Sequence, residues 1–223
     1  MATHHFQPAA YHTSFGSHPP VLHIADGDTV VTTTLDAVGT DAAGRQAARG
    51  PNPQTGPFYI EGAEPGDTLM VHIDHLHPNR ETGWSNSMLA AHVVDPVYSS
   101  KLPEERRVEW RILPDRHIAE LITPLTGLQE FSLPLSPMLG CLGVAPSDGQ
   151  AISSATSGQY GGNMDYRGCA AGTTFYIPVF VPGALFFLGD GHAAQGDGEV
   201  AGSGIEISFD VRFTAGVRKG RKI

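Results

Sequence analysis

Alternating apolar and polar residues predict that this chain is built mainly from β-strands. Every second residue is apolar over residues 205–213, and the residues between them are polar. The same period of two runs over residues 69–73, and it is typical of a strand with one buried face. Residues 173–181 and 184–188 are almost continuously apolar and are separated by a Pro-Gly turn, which predicts two further buried strands.

Helical signals are sparse by comparison, and only residues 82–91 predict a helix. The 27 glycines and 17 prolines favour many short strands joined by turns. A Gly-Asp-Thr turn occurs at residues 27–29 and again at 66–68, where glycine accepts a positive φ and aspartate bonds its own backbone. No shift in composition marks a domain boundary. We therefore expect one domain over residues 1–223, mainly β and β-sandwich-like, with Gly/Pro-rich loops and few short helices.

Charge and composition narrow the range of partners. The net charge is −9 with histidine neutral, and the basic residues cluster only at 218–222, which argues against nucleic acid as a partner. The chain has no apolar leader and no segment of membrane-spanning length, so we expect no membrane partner and a cytoplasmic location. Cys141 and Cys169 lack the spacing of a metal site, and we expect both to be free thiols.

Candidate chemistry is concentrated in residues 189–199, where three carboxylates, a histidine and a carboxamide are separated only by glycine and alanine. In an extended chain Asp190 and His192 project to one side, as do Asp197 and Glu199. An Asp-x-His pair with a further carboxylate suits a divalent ion of the zinc type, with one coordination position left for water. Composition alone leaves an alternative, a glycine-rich turn whose carboxylates accept hydrogen bonds from backbone amides.

Four blocks of sequence together resemble one known family. They are Gly-Pro-Phe-Tyr-Ile-Glu-Gly-Ala-Glu-Pro-Gly-Asp-Thr-Leu at 56–69, Gly-Val-Ala-Pro at 143–146, Gly-Gly-Asn-Met-Asp at 161–165, and residues 178–199. These blocks are similar to those of the acetamidase/formamidase family of metal-associated amide hydrolases. The resemblance implies a β-rich fold, hydrolysis of a short-chain linear amide to a carboxylate and ammonia, and a homo-oligomer, dimeric or higher. It also favours the metal interpretation, with zinc as the ion and Asp190, His192, Asp197 and Glu199 as its ligands.

The other site residues follow from the same resemblance and from local pattern. Two adjacent glycines let the backbone N–H groups around Gly162 and Asn163 form a cradle for the substrate, and Asp165 would then be a ligand or general base. The alternative is an ordinary Asx turn between strands. Gln195 would orient the amide of the substrate. Glu61 ends a predicted strand, and we expect it to enter the cavity and protonate the departing ammonia, unless it simply faces solvent.

Competing functions remain open from the sequence. Covalent mechanisms are weaker because the chain has only three lysines, Lys101, Lys219 and Lys222, to assist a nucleophile, and Cys141 is interpreted as a small buried side chain. The chain ends at Ile223, earlier than the family usually does, so we expect a domain that is short at its C-terminus. A β-sandwich that binds a metal or a small carboxylate without catalysis is therefore the alternative function. Transfer of the acyl group to another amine is not separable from hydrolysis by sequence.

Overall fold

The computed structural model describes residues 1–122 and 127–220, so Arg221 and Lys222 of the basic cluster lie outside the described residues. The described residues form eighteen strands: β1 Thr3–His5, β2 Ser14–Phe15, β3 Leu22–Ile24, β4 Thr29–Thr33, β5 Gln54–Ile60, β6 Thr68–Pro78, β7 Thr82–Asn86, β8 Arg107–Leu113, β9 Ile118–Leu121, β10 Ser132–Pro134, β11 Met138–Val144, β12 Ile152–Ser153, β13 Ser157–Gly158, β14 Gly161–Asn163, β15 Thr174–Pro178, β16 Phe186–His192, β17 Glu206–Ile207 and β18 Phe209–Arg218. Helical structure in the same residues consists of α1, Pro96–Ser99, and two 3₁₀ turns, Ala91–Val93 and Pro114–Arg116. The prediction of a mainly-β fold is confirmed. Within this part of the chain, every helix is too short or too polar to cross a membrane.

Most strands belong to two sheets. The smaller sheet has five strands in the order β1-β4-β18-β6-β15. The larger has eleven strands, nine of them in the order β10-β9-β8-β7-β17-β16-β11-β14-β13, while β5 pairs with β16 and β3 pairs with β5. Strands β2 and β12 form a separate pair. Only β1–β4 and β3–β5 are parallel among the pairs described, so the sheets are built mainly from antiparallel neighbours.

Aromatic side chains join the two larger sheets into one core. The ring of Phe213 in β18 lies 5.3 Å from the ring of Phe58 in β5 and 5.3 Å from that of Phe186 in β16. All three residues are fully buried. Burial of each such side chain contributes roughly 1.5–3 kcal/mol to folding. The predicted alternation explains this packing, since Phe213 points inward while Arg212 on the same strand is exposed.

The predicted helix at residues 82–91 is wrong, because its first half is strand β7. This strand pairs with β8, and Trp84 lies opposite Glu109. The Trp84 indole N–H also donates to Asp36 at 3.1 Å, so long-range partners fix the segment in an extended conformation. Gly83 permits a close approach, because a Cβ there would lie 3.0 Å from the carbonyl oxygen of Glu206. Tertiary pairing overrides the weak local preference for a helix.

The two Gly-Asp-Thr turns have the same construction. Asp28 accepts a hydrogen bond from the amide of Ala25 at 3.1 Å, and Asp67 accepts one from the amide of Glu64 at 2.9 Å. Each carboxylate also binds the chain near one terminus. Asp28 accepts the amide of Ala2, and Asp67 accepts the Nζ–H of Lys219 at 2.6 Å. The repeated motif therefore closes a turn and holds a terminal segment against the small sheet.

Strand β16 carries the candidate chemistry into the large sheet, and all seven of its residues are buried. It pairs with β11 on one side and with β5 and then β17 on the other. The sequence suggests that the strand ends at Leu188, but the structure continues it through His192. Asp190 and His192 are therefore buried strand residues, not loop residues.

Candidate metal centre

Asp165, Asp190 and His192 converge in the interior. One ligand atom from each lies within 4.8 Å of the others, an arrangement that could hold a metal ion. The Nε2 atom of His192 is 3.5 Å from Oδ1 of Asp190. The side chains of His192 and Asp190 are only 1% and 3% exposed. The two side chains of β16 meet as the sequence predicts, although the φ of Asp190, 58°, departs from an extended strand.

A second trio shares the same imidazole. His192, Glu199 and Glu206 also offer ligand atoms within 4.8 Å of one another. Glu206 lies directly opposite His192 in the β16–β17 pair, and its Oε1 is 3.2 Å from Nε2 of His192. Glu199 approaches the other ring nitrogen, with 3.8 Å between its Oε1 and Nδ1. His192 is therefore the centre of a cluster that contains four carboxylates.

A glycine makes room for the carboxylates. A Cβ added to Gly140 in β11 would lie 2.6 Å from Oδ1 of Asp165, 2.8 Å from Oδ2 of Asp190 and 3.0 Å from Cε1 of His192. The carbonyl oxygen of Gly140 also accepts the amide of Asp165 at 3.1 Å. Asp165 and Asp190 have φ values of 42° and 58°, a left-handed conformation that is uncommon outside glycine but tolerated by aspartate. The backbone is thus held in an unusual shape where the side chains meet.

Two carboxamides orient the cluster. Gln195 donates from Nε2 to the carbonyl oxygen of Asp165 at 2.5 Å, so its Oε1 is left to face Nδ1 of His192, also at 2.5 Å. A proton on Nδ1 satisfies this contact and leaves Nε2 directed at the carboxylates. Asn163 donates to Oδ2 of Asp165 at 2.5 Å and accepts from Asn52 at 2.5 Å. The rotamers of His192 and Asp165 are therefore fixed by neighbours.

Unpaired oxygens remain inside this ordered cluster. Oδ1 of Asp165, Oδ1 of Asp190 and Oε2 of Glu206 are buried and have no hydrogen-bond partner among the described residues. Buried polar atoms are normally satisfied, because leaving one unpaired costs about 1–3 kcal/mol. A divalent cation bound between these oxygens would satisfy them. The donor set of one imidazole and several carboxylates fits such an ion.

The electrostatics of the cluster agree with that fit. Burial, then the charge of Asp190, raises the pKa of Asp165 to about 6. Burial also raises the pKa of Glu199 to about 8 and that of Glu206 to about 7. Burial acts to lower the pKa of His192, but the charges of Glu206 and Asp190 outweigh it and hold that pKa well above 6.5. The carboxylates repel one another, and a bound cation would relieve the repulsion.

Some predicted site residues lie elsewhere. The expected position of Glu61 in the cavity is wrong, because its side chain is 55% exposed and accepts a hydrogen bond from His23 at 2.7 Å. It follows the last residue of β5, where the chain turns outward. Asp197, a predicted metal ligand, belongs to neither of the two trios. Its side chain is 47% exposed and pairs with Arg167 at 3.0 Å.

The predicted cradle at Gly162 also differs from the structure. Gly162 lies within β14 between β11 and β13, opposite Leu142 and Ser157. A Cβ there would lie 2.2 Å from the carbonyl oxygen of Thr156, so glycine serves close strand packing. Asn163 lies beside the cluster, where its side-chain amide donates to Asp165.

Sequence reasoning missed Glu206 and Gly140. Glu206 was one polar residue in an alternating strand, yet it is 2% exposed, because the chain passes from the large sheet to the small sheet between β17 and β18. The available signal was the break at residues 202–204, Gly-Ser-Gly, just before this acid. Gly140 carried no local signal, since its role depends on contacts with residues 25 or more positions away.

A cavity of about 400 Å³ opens beside the cluster. Gln195 and Gly204 line it, and both contact His192. Gln195 does so through Oε1. Gly204 lies so close that a Cβ added to it would be 2.7 Å from Nδ1 of His192. Trp110 and Ile205 form apolar parts of the wall. The cavity thus ends against residues that hold the imidazole in place.

Comparison with known proteins gives a consistent result. A family model described as the acetamidase/formamidase family matches residues 10–153 and 149–222. An acetamidase of Mycolicibacterium smegmatis is 28% identical over 195 residues, covering 66% of this chain and 48% of that protein. A formamidase of Methylophilus methylotrophus is 26% identical over 211 residues, covering 74% of this chain and 51% of that protein. The chain therefore spans about half the length of the curated relatives it matches.

Solved structures agree with the sequence comparison. A predicted acetamidase/formamidase from Thermoanaerobacter tengcongensis superposes with a TM-score of 0.82 at 30% identity, covering 100% of this chain and 71% of that one. An acetamidase from Bacillus halodurans gives a TM-score of 0.79 at 31% identity, covering 97% and 71%. A γ-lactamase from Delftia acidovorans, at 18% identity and a TM-score of 0.73, has the same fold.

Proposed function

The chain belongs to the acetamidase/formamidase family, and we propose that it hydrolyses a short linear amide of the formamide or acetamide type to a carboxylate and ammonia. The observation that carries this proposal is the convergence of Asp165, Asp190 and His192 within 4.8 Å, with buried oxygens that have no hydrogen-bond partner among the described residues. An amide is inert, so its hydrolysis needs an activated water and a polarised carbonyl. A cluster built to bind a divalent ion suits that need.

Asp165, Asp190 and His192 are the residues that would hold the ion, and zinc fits their mixed nitrogen and oxygen donors. When bound, such an ion polarises a carbonyl and lowers the pKa of its water to about 7. The protein's own contribution is orientation. Gln195 keeps the proton on Nδ1 of His192, and Asn163 fixes the Asp165 carboxylate.

Proton transfer to the leaving amine needs an acid that exchanges with solvent. Glu199 suits this role by position, because its side chain is 18% exposed while those of Asp190 and Glu206 are each 3% exposed. Its Oε1 is 3.8 Å from the imidazole of His192. General acid–base assistance of this kind accelerates reactions about 10²–10⁴-fold. Glu199 therefore takes the role that the sequence suggested for Glu61.

A cysteine nucleophile fits the geometry poorly. The thiol of Cys141 is fully buried and donates to the carbonyl oxygen of Ser154 at 3.3 Å. Burial, then the charges of Asp190 and Asp165, raises its pKa well above 9.0. A thiol that stays protonated is a weak nucleophile, which supports attack by water.

Zinc titration and ammonia release test the proposal together. The wild type should bind zinc and release ammonia from formamide or acetamide. Asp190→Asn and His192→Gln should each lower kcat/KM by about 100-fold or more, because loss of a ligand exceeds the 10–100-fold cost of disturbing its supports. Asp210→Asn is the matched control, since Asp210 is exposed on the small sheet. Absence of ammonia release from every short amide by the zinc-loaded wild type would contradict the proposal.

A non-catalytic metal-binding protein is the second candidate function. The near-complete burial of Asp190 and His192 favours it, because a structural ion is enclosed by protein ligands. The two functions differ in one result. Tight zinc binding without ammonia release would support the structural site.

Self-association and compartment are further parts of the proposal. We expect a homo-oligomer, dimeric or higher, and light scattering after gel filtration tests it. The free, buried thiols of Cys141 and Cys169 support a reducing compartment such as the cytoplasm. Fractionation of cells that express the tagged protein tests this location.

A further inference from the structure

We infer that the preferred substrates are neutral amides whose acyl group carries a ring, and that the cavity beside Gln195 binds that ring. This inference rests on the proposed amide hydrolysis and extends its substrates from formamide and acetamide to amides with a larger, ring-bearing acyl group. Its basis is the size, the lining and the charge of the cavity.

The cavity is large compared with acetamide. The cavity measures about 400 Å³, whereas one water molecule takes up about 30 Å³ of the liquid. Acetamide is only a few times larger than water and would leave most of the space to solvent. Pockets of about 300–1,000 Å³ typically bury ligands much larger than acetamide. A ring-bearing acyl group would fill the cavity.

The wall of the cavity is partly apolar. Trp110, Leu133 and Ile205 give the wall an apolar surface. The indole of Trp110 is held in place, since its N–H donates to Oγ of Ser85 at 2.9 Å. The indole is 7% exposed, and the part of it that lines the cavity is a fixed apolar contact for a ring.

Two polar side chains of the wall are bonded within the protein. Oγ of Ser203 accepts the backbone amide of Asn86 at 2.8 Å. The Asn86 side chain donates to the carbonyl oxygen of Ala201 at 3.3 Å. Ser203 bonds here as an acceptor, so its own O–H stays available to the polar end of a ligand.

The cavity wall offers little charge to a ligand. Among the described residues that line it, the charged side chain is Arg167, and its Nε already pairs with Asp197 at 3.0 Å. A neutral ligand suits such a wall. Its amide would lie at Gln195, next to His192, and its ring at Trp110.

Phenylacetamide and acetamide make the sharpest comparison, because they differ by one ring on the same type of carbonyl. Calorimetry should give a Kd for phenylacetamide at least about tenfold below that for acetamide, and kcat/KM should favour phenylacetamide by a similar factor. Ala194→Leu and Ala201→Leu each add bulk to the cavity wall from a different segment. Each should lower the phenylacetamide-to-acetamide ratio of kcat/KM, and the affinity for phenylacetamide, by about tenfold or more.

Ala155→Leu is the matched control, since Ala155 is exposed and lies outside the cavity wall. It should leave the phenylacetamide-to-acetamide ratio of kcat/KM and the affinity for phenylacetamide unchanged. Preference of the wild type for acetamide would overturn the inference. It would also be overturned if Ala194→Leu and Ala201→Leu both left the phenylacetamide-to-acetamide ratio of kcat/KM and the affinity for phenylacetamide unchanged. Absence of ammonia from any amide would instead refute the proposed hydrolysis, and the calorimetric comparison would still decide whether the cavity binds the ring.

Discussion

Gly140→Ala is the smallest change that should disrupt the metal centre. The φ of Gly140 lies outside the left-handed region, so alanine fits the backbone there and the effect is steric. The new Cβ would lie 2.6 Å from Oδ1 of Asp165 and 2.8 Å from Oδ2 of Asp190, whereas ordinary contact begins at 3.4 Å. The two oxygens would therefore have to retreat by about 0.8 and about 0.6 Å.

Displacements of that size exceed the tolerance of about 0.2 Å on metal–ligand distances. We expect zinc affinity to fall about 10–100-fold, as it does when groups that support metal ligands are disturbed. Overpacking of the buried strand should also lower the free energy of unfolding of the metal-free protein by about 1–3 kcal/mol. Calorimetric zinc titration measures the first effect and urea unfolding the second.

Gly127→Ala is the control for this experiment. Apart from Gly127 and its neighbours in the chain, no atom of the described residues lies within 4 Å of the position the Cβ would take, and the φ of Gly127 is not left-handed. Its zinc affinity should equal that of the wild type. A folded Gly140→Ala protein that binds zinc as tightly as the wild type would refute the convergence of ligands at Gly140.

Three other changes have calculable outcomes. Arg80→Met should lower the free energy of unfolding by about 3–5 kcal/mol, because it leaves the buried carboxylate of Asp36 without the guanidinium that lies 2.7 Å away. Arg45→Met removes an exposed pair and should lower it by at most about 1 kcal/mol. Equal losses in urea unfolding would contradict the larger contribution of the buried pair. The Nζ–H of Lys219, followed by backbone amides, lowers the pKa of Asp67 to about 2, so the stability that this carboxylate confers should be full above about pH 5 and disappear as the pH falls towards 2. The difference in unfolding midpoint between the wild type and Asp67→Asn should shrink over that interval, and a constant difference would contradict the assignment. Zinc at about 100 times its Kd should stabilise the wild type by about 2.7 kcal/mol in thermal unfolding, and no rise in midpoint would argue against specific binding to the folded protein.

Local pattern was sufficient where the structure depends on local geometry. The period of two over residues 205–213 predicted the inward face of β18, including Phe213. The same geometry predicted that Asp190 and His192 share a side, although the sequence suggested a loop. The two side chains do meet, but the left-handed φ of Asp190, 58°, departs from the extended conformation on which that prediction rests.

Contacts between distant segments were beyond local pattern. Glu206 meets His192 only because β17 pairs with β16, and Asn52 reaches Asn163 across 111 residues of sequence. Glu61 was misplaced for the same reason, since alternation gives the side of a strand but not which side faces a cavity. The helix predicted at residues 82–91 failed because the pairing of Trp84 with β8 is a long-range interaction.

Diffraction from crystals grown with zinc, measured on both sides of the zinc absorption edge, locates the ion directly. We predict an anomalous peak at about 2.0–2.2 Å from ligand atoms of Asp165, Asp190 and His192. Zinc found only at surface histidines, with no peak between these three side chains, would contradict the proposed metal centre.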